Sequence, residues 1–479
     1  VRTSGHRLDW SNQPIPYKIY LDLDRIPLFP NERELPPAFT SPPPATTGAP
    51  TLEQLSRLLY LSAGITKKIV YGDGRELFFR AAANTGALYE IDLYVVSGAV
   101  AGLEDGVYHF SPHDFSLRRL RRGDHRDAVA TACGGEPHAI RAGAFIVCSG
   151  TYWRNAWKYQ ARTYRHFGWD NGTMLGNLLA VAAAEALRAT VVGGFVDDSV
   201  NQLLGLNPLE EVAFSIVALG EDAVHSPAPA LEPLQARTRP LSAHPRDYPQ
   251  MRDMHDASSL SDAESVCRWR EQVQKVQVTV PSGGEAVDLP PAASSDVPLD
   301  KVIVRRGSSR RFQREPISAP QLAALLEATS RPLAGDMHPA ERLWNQVFVI
   351  VNAVDGVASG AYYYSDGRLH LIRAGEFRDM AGYLDLEQDL AADAAVNLYY
   401  LADMDAILAG AGNRGYRMMQ LEAGIMGGRA YLAAYALGLG ATGLTFYDDD
   451  VVSFFAPASA GLKTIFLVAV GRPARRQRS

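Results

Sequence analysis

RTYRHFGWDNGTMLGNLLAVAAAEAL (residues 162–187) and RGYRMMQLEAGIMGGRAYLAAYALGL (residues 414–439) are two versions of one segment. They align without a gap at an offset of 252 (414 less 162), and the match continues through ATVVGGFVDDSV (189–200) and ATGLTFYDDDV (441–451). Arg162/Arg414, Tyr164/Tyr416, Arg165/Arg417, Gly172/Gly424, Ala182/Ala434 and Thr190/Thr442 coincide, as do Asp197-Asp198 and Asp449-Asp450. So many coincidences in one frame mark an internal duplication, and the period is too long for a solenoid. The chain is two copies of one domain.

Looser matches extend the copies. APTLEQLSRLLYLSAG (49–64) parallels ISAPQLAALLEATS (317–330), both with helical leucine spacing. Residues 92–120 parallel residues 346–372 as strand, turn, strand and hairpin return, and EVAFSIVALG (211–220) parallels LKTIFLVAVG (462–471) as a last buried strand. Each copy reads as an α+β layer arrangement: helix, strands, long buried helix, strand. The long helices are expected at 172–188 and 424–439, apolar on most sides and packed on each other. KVIV (301–304) has strand character. The division expected is an arm (1–50), a first domain (51–220), a Pro/Ser-rich linker with one or two short helices (221–300) and a second domain (301–479).

A net charge of −6 gives no electrostatic pull toward nucleic acid or anionic membrane. The most apolar run, NLLAVAAAEALRATVVGGF (177–195), contains Glu185 and Arg188 and reads as a buried helix and strand rather than a membrane span. VRTSGHRLDW has no apolar signal-peptide core. Cys133, Cys148 and Cys267 have neither metal-type nor disulfide spacing, which points to a reducing, cytoplasmic setting. The acidic runs at Asp197-Asp198 and 448–450 read as caps and turns rather than metal ligands, and His109 and His113 in YHFSPHDF as solvated hairpin residues. Trp153, Trp157 and Trp169 read as core.

Four segments together carry a family resemblance. VRRGSSRRF (304–312) resembles the Arg-Arg-x-Ser-x-Arg opening of flavin-dependent nitroreductases. WKYQARTYRHFGWDNGTMLGNLLAVAA (157–183) is similar to the signature of their azoline dehydrogenase branch, where Lys-Tyr precedes Arg-x-Tyr-Arg. RAAANTGALYEIDLYVV (80–96) and YALGLGATGL (435–444) resemble that branch's Ser-x-Gly-Ala-Leu-Tyr-Pro segment and the family's Gly-Leu-Gly before a strand. The resemblance implies two tandem FMN-dependent nitroreductase-like domains folded as an intrachain pseudo-dimer. In such dimers each groove takes a phosphate arm from one unit and much of its ring-facing arm from the other.

Only one groove has both arms. A flavin phosphate carries about two negative charges and suits the planar, permanently charged fork of arginine. Arg305, Arg306, Ser308 and Arg310 supply it in the second copy, with Arg472 and Arg475 after the final strand. The first copy has FTSPPPATTGAP (39–50) and the acidic GEDAVHSP (220–227) at those places. The ring-facing pieces show the opposite bias: Asn84, Thr85, Gly86 and Ala87, with Lys158-Tyr159, in the first copy, against RPLAGDMHPAERLW (331–344) and Gly410-Ala411 in the second. Gly443 and Leu444 complete the expected cofactor contacts. One FMN per chain is expected.

The resemblance implies oxidation of thiazoline or oxazoline rings to thiazoles or oxazoles on a peptide or a carrier-protein-bound intermediate. The protein must then position the ring and supply a base. Tyr159 is the expected base, its pKa lowered from about 10 by the Lys158 ammonium at hydrogen-bonding range, with the two roles interchangeable. Asn84, where the branch has serine, is expected to bond a flavin edge. Glu90, where it has proline, would repel a reduced flavin if turned inward. Two alternatives stay open: an NAD(P)H-dependent nitro or quinone reductase, and a non-catalytic flavin-binding or storage protein. Further homo-oligomerisation of such chains is compatible with the sequence.

Overall fold

A computed structural model describes all residues except 1–5, 31–32, 40–47, 71, 73, 75, 99, 222, 340–341 and 475–479. The first copy opens with helix α1 (Leu52–Ala63), fixed by a reciprocal cap: Gln54 N donates to Thr51 Oγ1, and Thr51 N to Gln54 Oε1. Its sheet is antiparallel, in the order Ser116–Arg122, Gly106–Ser111, Ile91–Ser97, Ala144–Thr151, Glu211–Leu219, Ala189–Val192. Helix α2 (Tyr152–Tyr159) and helix α3 (Thr163–Ala184) follow the central strand. They are separated by Gln160, held at φ 53° and ψ −141°.

The N-terminal arm and the linker each extend one sheet. Arg25–Pro27 pairs with Ser116–Arg122 and covers the outer edge of the first sheet. The arm also buries His109, which lies between the Tyr20 and Tyr94 rings at 5.2 Å from each. His109 is therefore core, not solvated as its hairpin setting suggested, whereas His113 is exposed and stacked on Tyr17. The linker forms helices α4 (Pro249–Ala257) and α5 (Ala263–Val273), then the strand Glu285–Asp288, which pairs with Arg368–Ala374 at the edge of the second sheet.

Lys301–Val304 is not a strand. It lies in helix α6 (Leu299–Arg305), whose Leu299, Val302 and Ile303 are buried; the apolar spacing has a helical period that a four-residue window did not display. Helix α7 (Ala319–Ser330) repeats the reciprocal cap of α1 through Ser318 and Gln321. The second sheet runs Arg368–Ala374, Gly360–Ser365, Asn345–Val351, Val396–Ala402, Lys463–Pro473, with Gly440–Gly443 on the last strand, the same order as the first. Helix α8 (Met404–Ala436) corresponds to α2 and α3 together, broken at Gly412 (φ 60°, ψ −164°), the repeat mate of Gln160. The second copy makes this non-helical bend with glycine; the first makes it with a side chain that pays steric strain there.

α3 and α8 cross face to face. The repeat glycines are not helix starts, as the sequence suggested, but the crossing point. A Cβ on Gly172 would sit 2.5 Å from the Gly424 Cα, and one on Gly176 3.1 Å from the Gly428 Cα. Because Gly172/Gly424 and Gly176/Gly428 are repeat mates, each residue meets its own counterpart, as a twofold axis requires. Gly424→Leu puts a side chain where only backbone lies and is expected to cost about 3 kcal/mol or more. A lowered urea midpoint for the whole chain checks it.

Buried charge also joins the copies. Asp197 begins a short helix but caps nothing: it accepts from Arg414 Nη1 at 2.5 Å and Arg417 Nη1 at 2.8 Å, with His255 of the linker 3.6 Å away. In the other direction Arg165 donates to Asp448 at 2.7 Å and to the Thr464 carbonyl. No helix among the described residues is long and apolar enough to cross a membrane.

Candidate functional site

α2 delivers Lys158 and Tyr159 at its last turn, and the bend at Gln160 ends the helix there. The segment 84–90 lies against them. Gly86, at φ 69°, leaves room for the ring of Tyr159: a Cβ on it would stand 3.0 Å from the phenol oxygen. Lys158 Nζ lies 5.1 Å from the Tyr159 ring centroid, over the ring instead of at the hydroxyl. Burial pushes the Tyr159 phenol up, and the Asp170 and Glu90 carboxyls reinforce this. Burial lowers Lys158, helped by the Arg310 guanidinium. The electrostatics thus oppose the expected lysine-activated phenolate; they favour a neutral Tyr159 and a lysine easier to deprotonate.

The 84–90 segment is tied to itself and to α3. Asn84 Oδ1 accepts from Leu88 N and Tyr89 N, while its Nδ2 donates to Glu90 Oε2 at 3.1 Å. The side chain expected to reach a flavin edge is therefore used to close its own loop. Thr85 N and Oγ1 both donate to Asp170 at 2.9 Å. Ala87 is held at φ 55°. Glu90 is fully buried.

The arginine loop of the second copy approaches this face. Arg306 Nε and Nη2 donate to the Ala81 and Arg80 carbonyls at 2.8 and 2.9 Å, so this residue clamps the two copies together. Arg305 donates to the Tyr435 carbonyl, and Arg310 makes no hydrogen bond or ion pair among the described residues. Tyr431 organises the rest. Its hydroxyl accepts from Gly443 N at 2.5 Å and lies 3.4 Å from Ser308 Oγ, and its ring faces the Arg306 guanidinium at 5.9 Å. Sequence reading missed Tyr431, although its repeat mate Leu179 is apolar and that asymmetry was visible. Leu444, just past the strand Gly440–Gly443, is buried. Arg472 is not brought to this group: its described contacts are the Pro316 carbonyl at 2.9 Å and Glu315 at 3.8 Å. Arg475 lies outside the described residues, as do residues 40–47 of the first copy's counterpart opening.

The ring side of the opposite groove is closed by the protein. Val191, the repeat mate of Gly443, donates through its N to the Ala334 carbonyl and bridges to Gly335. Asp336 accepts from Gly193 N and Gly194 N, and Arg270 of α5 holds it at 3.1 Å. Trp269 Nε1 donates to the Ala411 carbonyl, and a Cβ on Gly410 would stand 2.7 Å from Val276. The linker and residues 334–336 thus occupy the places that Tyr159, Lys158 and the 84–90 segment hold on the other side.

Residues 46–221 and 303–472, more than half of the chain, match the nitroreductase family. The chain is similar to the crystal structure of an Anabaena variabilis protein provisionally named a nitroreductase, with a TM-score of 0.79 and 28% identity over 98% of this chain and 96% of that one. It is also 26% identical, over 154 residues, to a Methanocaldococcus jannaschii protein provisionally named a nitroreductase, covering 32% of this chain and 74% of that protein. A chain of the Escherichia coli microcin synthetase complex shares 20% identity at a TM-score of 0.32 over 40% of this chain and 70% of that one, too partial a likeness to bear on the reaction. Members of the matching family are oxidoreductases that typically bind flavin, commonly FMN. The chain belongs to the nitroreductase family, as two of its domains in tandem on one polypeptide.

Proposed function

We propose that the chain is an FMN-dependent azoline dehydrogenase with a single working groove. One observation carries the reading: Lys158 of the first copy and Arg310 of the second are both without a hydrogen bond or ion pair among the described residues, yet close enough for Arg310 to depress Lys158. An unpaired guanidinium in the arginine loop calls for an anion, which fits a flavin phosphate on that side. Ser309 Oγ, buried in the same loop without a partner among the described residues, is a further orphan that such a group can satisfy. Arg305, Ser308 and Arg310 would hold the phosphate, and the backbone of Thr85–Ala87 and Gly443–Leu444 would border the ring.

Bound FMN supplies the acceptor for the hydride that leaves the azoline ring. The chain's own residues handle the proton. Lys158, depressed toward its neutral form, accepts the acidic proton from the carbon next to the ring nitrogen. Tyr159, kept protonated, donates a hydrogen bond to the substrate. A reductase fed by NAD(P)H has no carbon acid to deprotonate and leaves this built lysine without a task. The substrate class is an azoline on a peptide or on a carrier protein.

Flavin released by heat and counted against protein is expected at one FMN per chain, since the ring side of the second groove is closed. Mixed anaerobically with the holoprotein, a thiazoline-bearing peptide is expected to bleach the flavin rapidly and NADPH slowly. Fast bleaching by NADPH with none by azolines overturns the reading, and two flavins per chain overturn the single groove.

A further inference from the structure

Arg162 and Arg414 are repeat mates placed in opposite circumstances. Arg414 is buried and fully engaged: its Nε donates to the Gly193 carbonyl at 2.9 Å, and its Nη1 to Asp197 at 2.5 Å and to the Ser258 carbonyl of the linker at 3.1 Å. Arg162 ends the short turn Gln160–Arg162 that joins Tyr159 to α3, and it makes no hydrogen bond or ion pair among the described residues. Its Nη2 is nevertheless closed off from water. A guanidinium shut away from solvent on one arm and left unbonded is destabilising unless something else meets it.

The frame around the two arginines is the same. Arg165 donates to the Thr464 carbonyl as its mate Arg417 donates to that of Ala213, and these two residues hold equivalent sheet positions, opposite Leu401 and Ser149. The carboxylates differ. Asp197 serves Arg414 and Arg417 together, whereas its mate Asp449 is exposed and the neighbouring Asp448 bonds Arg165 alone, at 2.7 Å. The linker differs too, since the Ser258 carbonyl that completes Arg414 has no counterpart at Arg162 among the described residues.

The repeat also shows which groove Arg162 serves. Gly193, whose carbonyl receives Arg414, gives its N–H to Asp336 in the wall of the closed groove. The mate of Gly193 is Thr445, next to the Gly443–Leu444 border of the open groove. Arg162 therefore belongs to the ring side of the open groove, on the same turn as Tyr159 and on the other copy from the arginine loop. Burial and the nearby Arg165 both work against its charge, a strain that an incoming anionic oxygen relieves.

We propose that Arg162 is a substrate-binding residue of the open groove and takes the carbonyl oxygen of an acyl group on the ring carbon that loses its proton. This rests on the azoline reading given above. When that C–H bond breaks and Lys158 receives the proton, the electron pair spreads into the adjacent carbonyl, whose oxygen gathers negative charge. The pair then closes the new ring double bond as hydride leaves the neighbouring methylene for the flavin. A guanidinium fork at that oxygen favours the charge and fixes which carbon faces Lys158. The substrate class narrows to azolines carrying a carboxyl or amide carbonyl beside the ring nitrogen, the form taken by a cyclised cysteine or serine within a peptide.

Thiazole-4-carboxylate is a stable probe of this contact, and 4-methylthiazole is the control that lacks the oxygens. Binding of each to the FMN-loaded full chain is followed by flavin difference absorbance. Arg162→Gln is expected to weaken the carboxylate by about 10–10²-fold and to leave 4-methylthiazole unchanged. The variant is also expected to keep its FMN and the parental urea midpoint, because it strands no described partner. Arg414→Gln, which strands Asp197, is expected to lower that midpoint. Equal carboxylate binding by parent and Arg162→Gln overturns the proposal, as does a parent that binds no carboxylate. So does loss of FMN from Arg162→Gln, which gives the guanidinium to the cofactor, and so does a fall in its midpoint matching that of Arg414→Gln, which gives it to the fold. A carboxylate site dependent on Arg162, in a chain whose flavin no azoline bleaches, faults the reaction assigned above and keeps the binding residue.

Discussion

On the proposed reading, Lys158→Ala is expected to lower azoline oxidation by about 10²–10⁴-fold, the usual contribution of a positioned general base, while the flavin stays bound. Binding is expected to survive because Arg305, Ser308, Arg310, Tyr431 and Gly443 all lie on the second copy, and among the described residues none of them is hydrogen-bonded to Lys158. Tyr159→Phe removes one hydrogen-bond donor and is expected to cost less, about 10–10²-fold. The parent rate should rise with pH as Lys158 loses its proton, with a midpoint below the ordinary lysine value of about 10.4, because burial and Arg310 both disfavour the ammonium. That rising limb should vanish in Lys158→Ala. Stopped-flow reduction of the bound flavin by a thiazoline peptide measures each of these, and a flavin-loaded Lys158→Ala chain working at the parental rate removes the assignment.

Asp197→Ala is expected to destabilise the chain by about 3–5 kcal/mol, because it strands two buried guanidinium groups at once. Arg414 and Arg417 are both fully buried on the second copy, and the carboxylate between them comes from the first. Acid acts on the same site more gently. Asp197 is held down at about 2, from 3.8, chiefly by Arg414 and Arg417 against the cost of burial. Its contribution, about 2 kcal/mol, is complete above pH 4 and lost as pH falls toward 2. His255, depressed to about 3 by burial, adds a loss of the same sign that begins below its ordinary 6.5. Urea midpoints for parent and Asp197→Ala between pH 7 and pH 3 should therefore converge on the acid side. A constant gap across that range contradicts the account.

The duplication was legible because repeat mates share one environment: Gly172 and Gly424 face each other across an axis that demands small residues from both. The arginine loop was legible because charge without nearby counter-charge stands out in a mildly acidic chain. What stayed hidden depends on partners far away in sequence. Arg306 looks like any other arginine of its run until the Arg80 and Ala81 carbonyls, more than two hundred residues earlier, are placed beside it. His109 looked exposed because nothing in its hairpin announces that the N-terminal arm lands on it. Lys158 and Tyr159 were recognisable as a pair, but the direction of their pKa shifts follows from burial and from Arg310, Asp170 and Glu90, which only the fold supplies.

Closure of the second groove's ring side changes what substitutions this protein can accept. In a dimer of identical units every change to the ring-facing loop is made twice, and a residue useful in one groove must be tolerable in the other. Here the loops are separate stretches of one polypeptide, so one keeps Glu90 and lies against Tyr159 while its mate carries Asp336 and closes on Gly193 and Gly194. On the reading proposed above, the closed half is released from chemistry and free to serve as scaffold, with the linker helix that bears Trp269 and Arg270 packed into it. Specialisation of this kind is closed to a dimer of identical units. It makes an extra copy of the domain, which in a homodimer would be a second workplace, into the frame that holds the first one rigid.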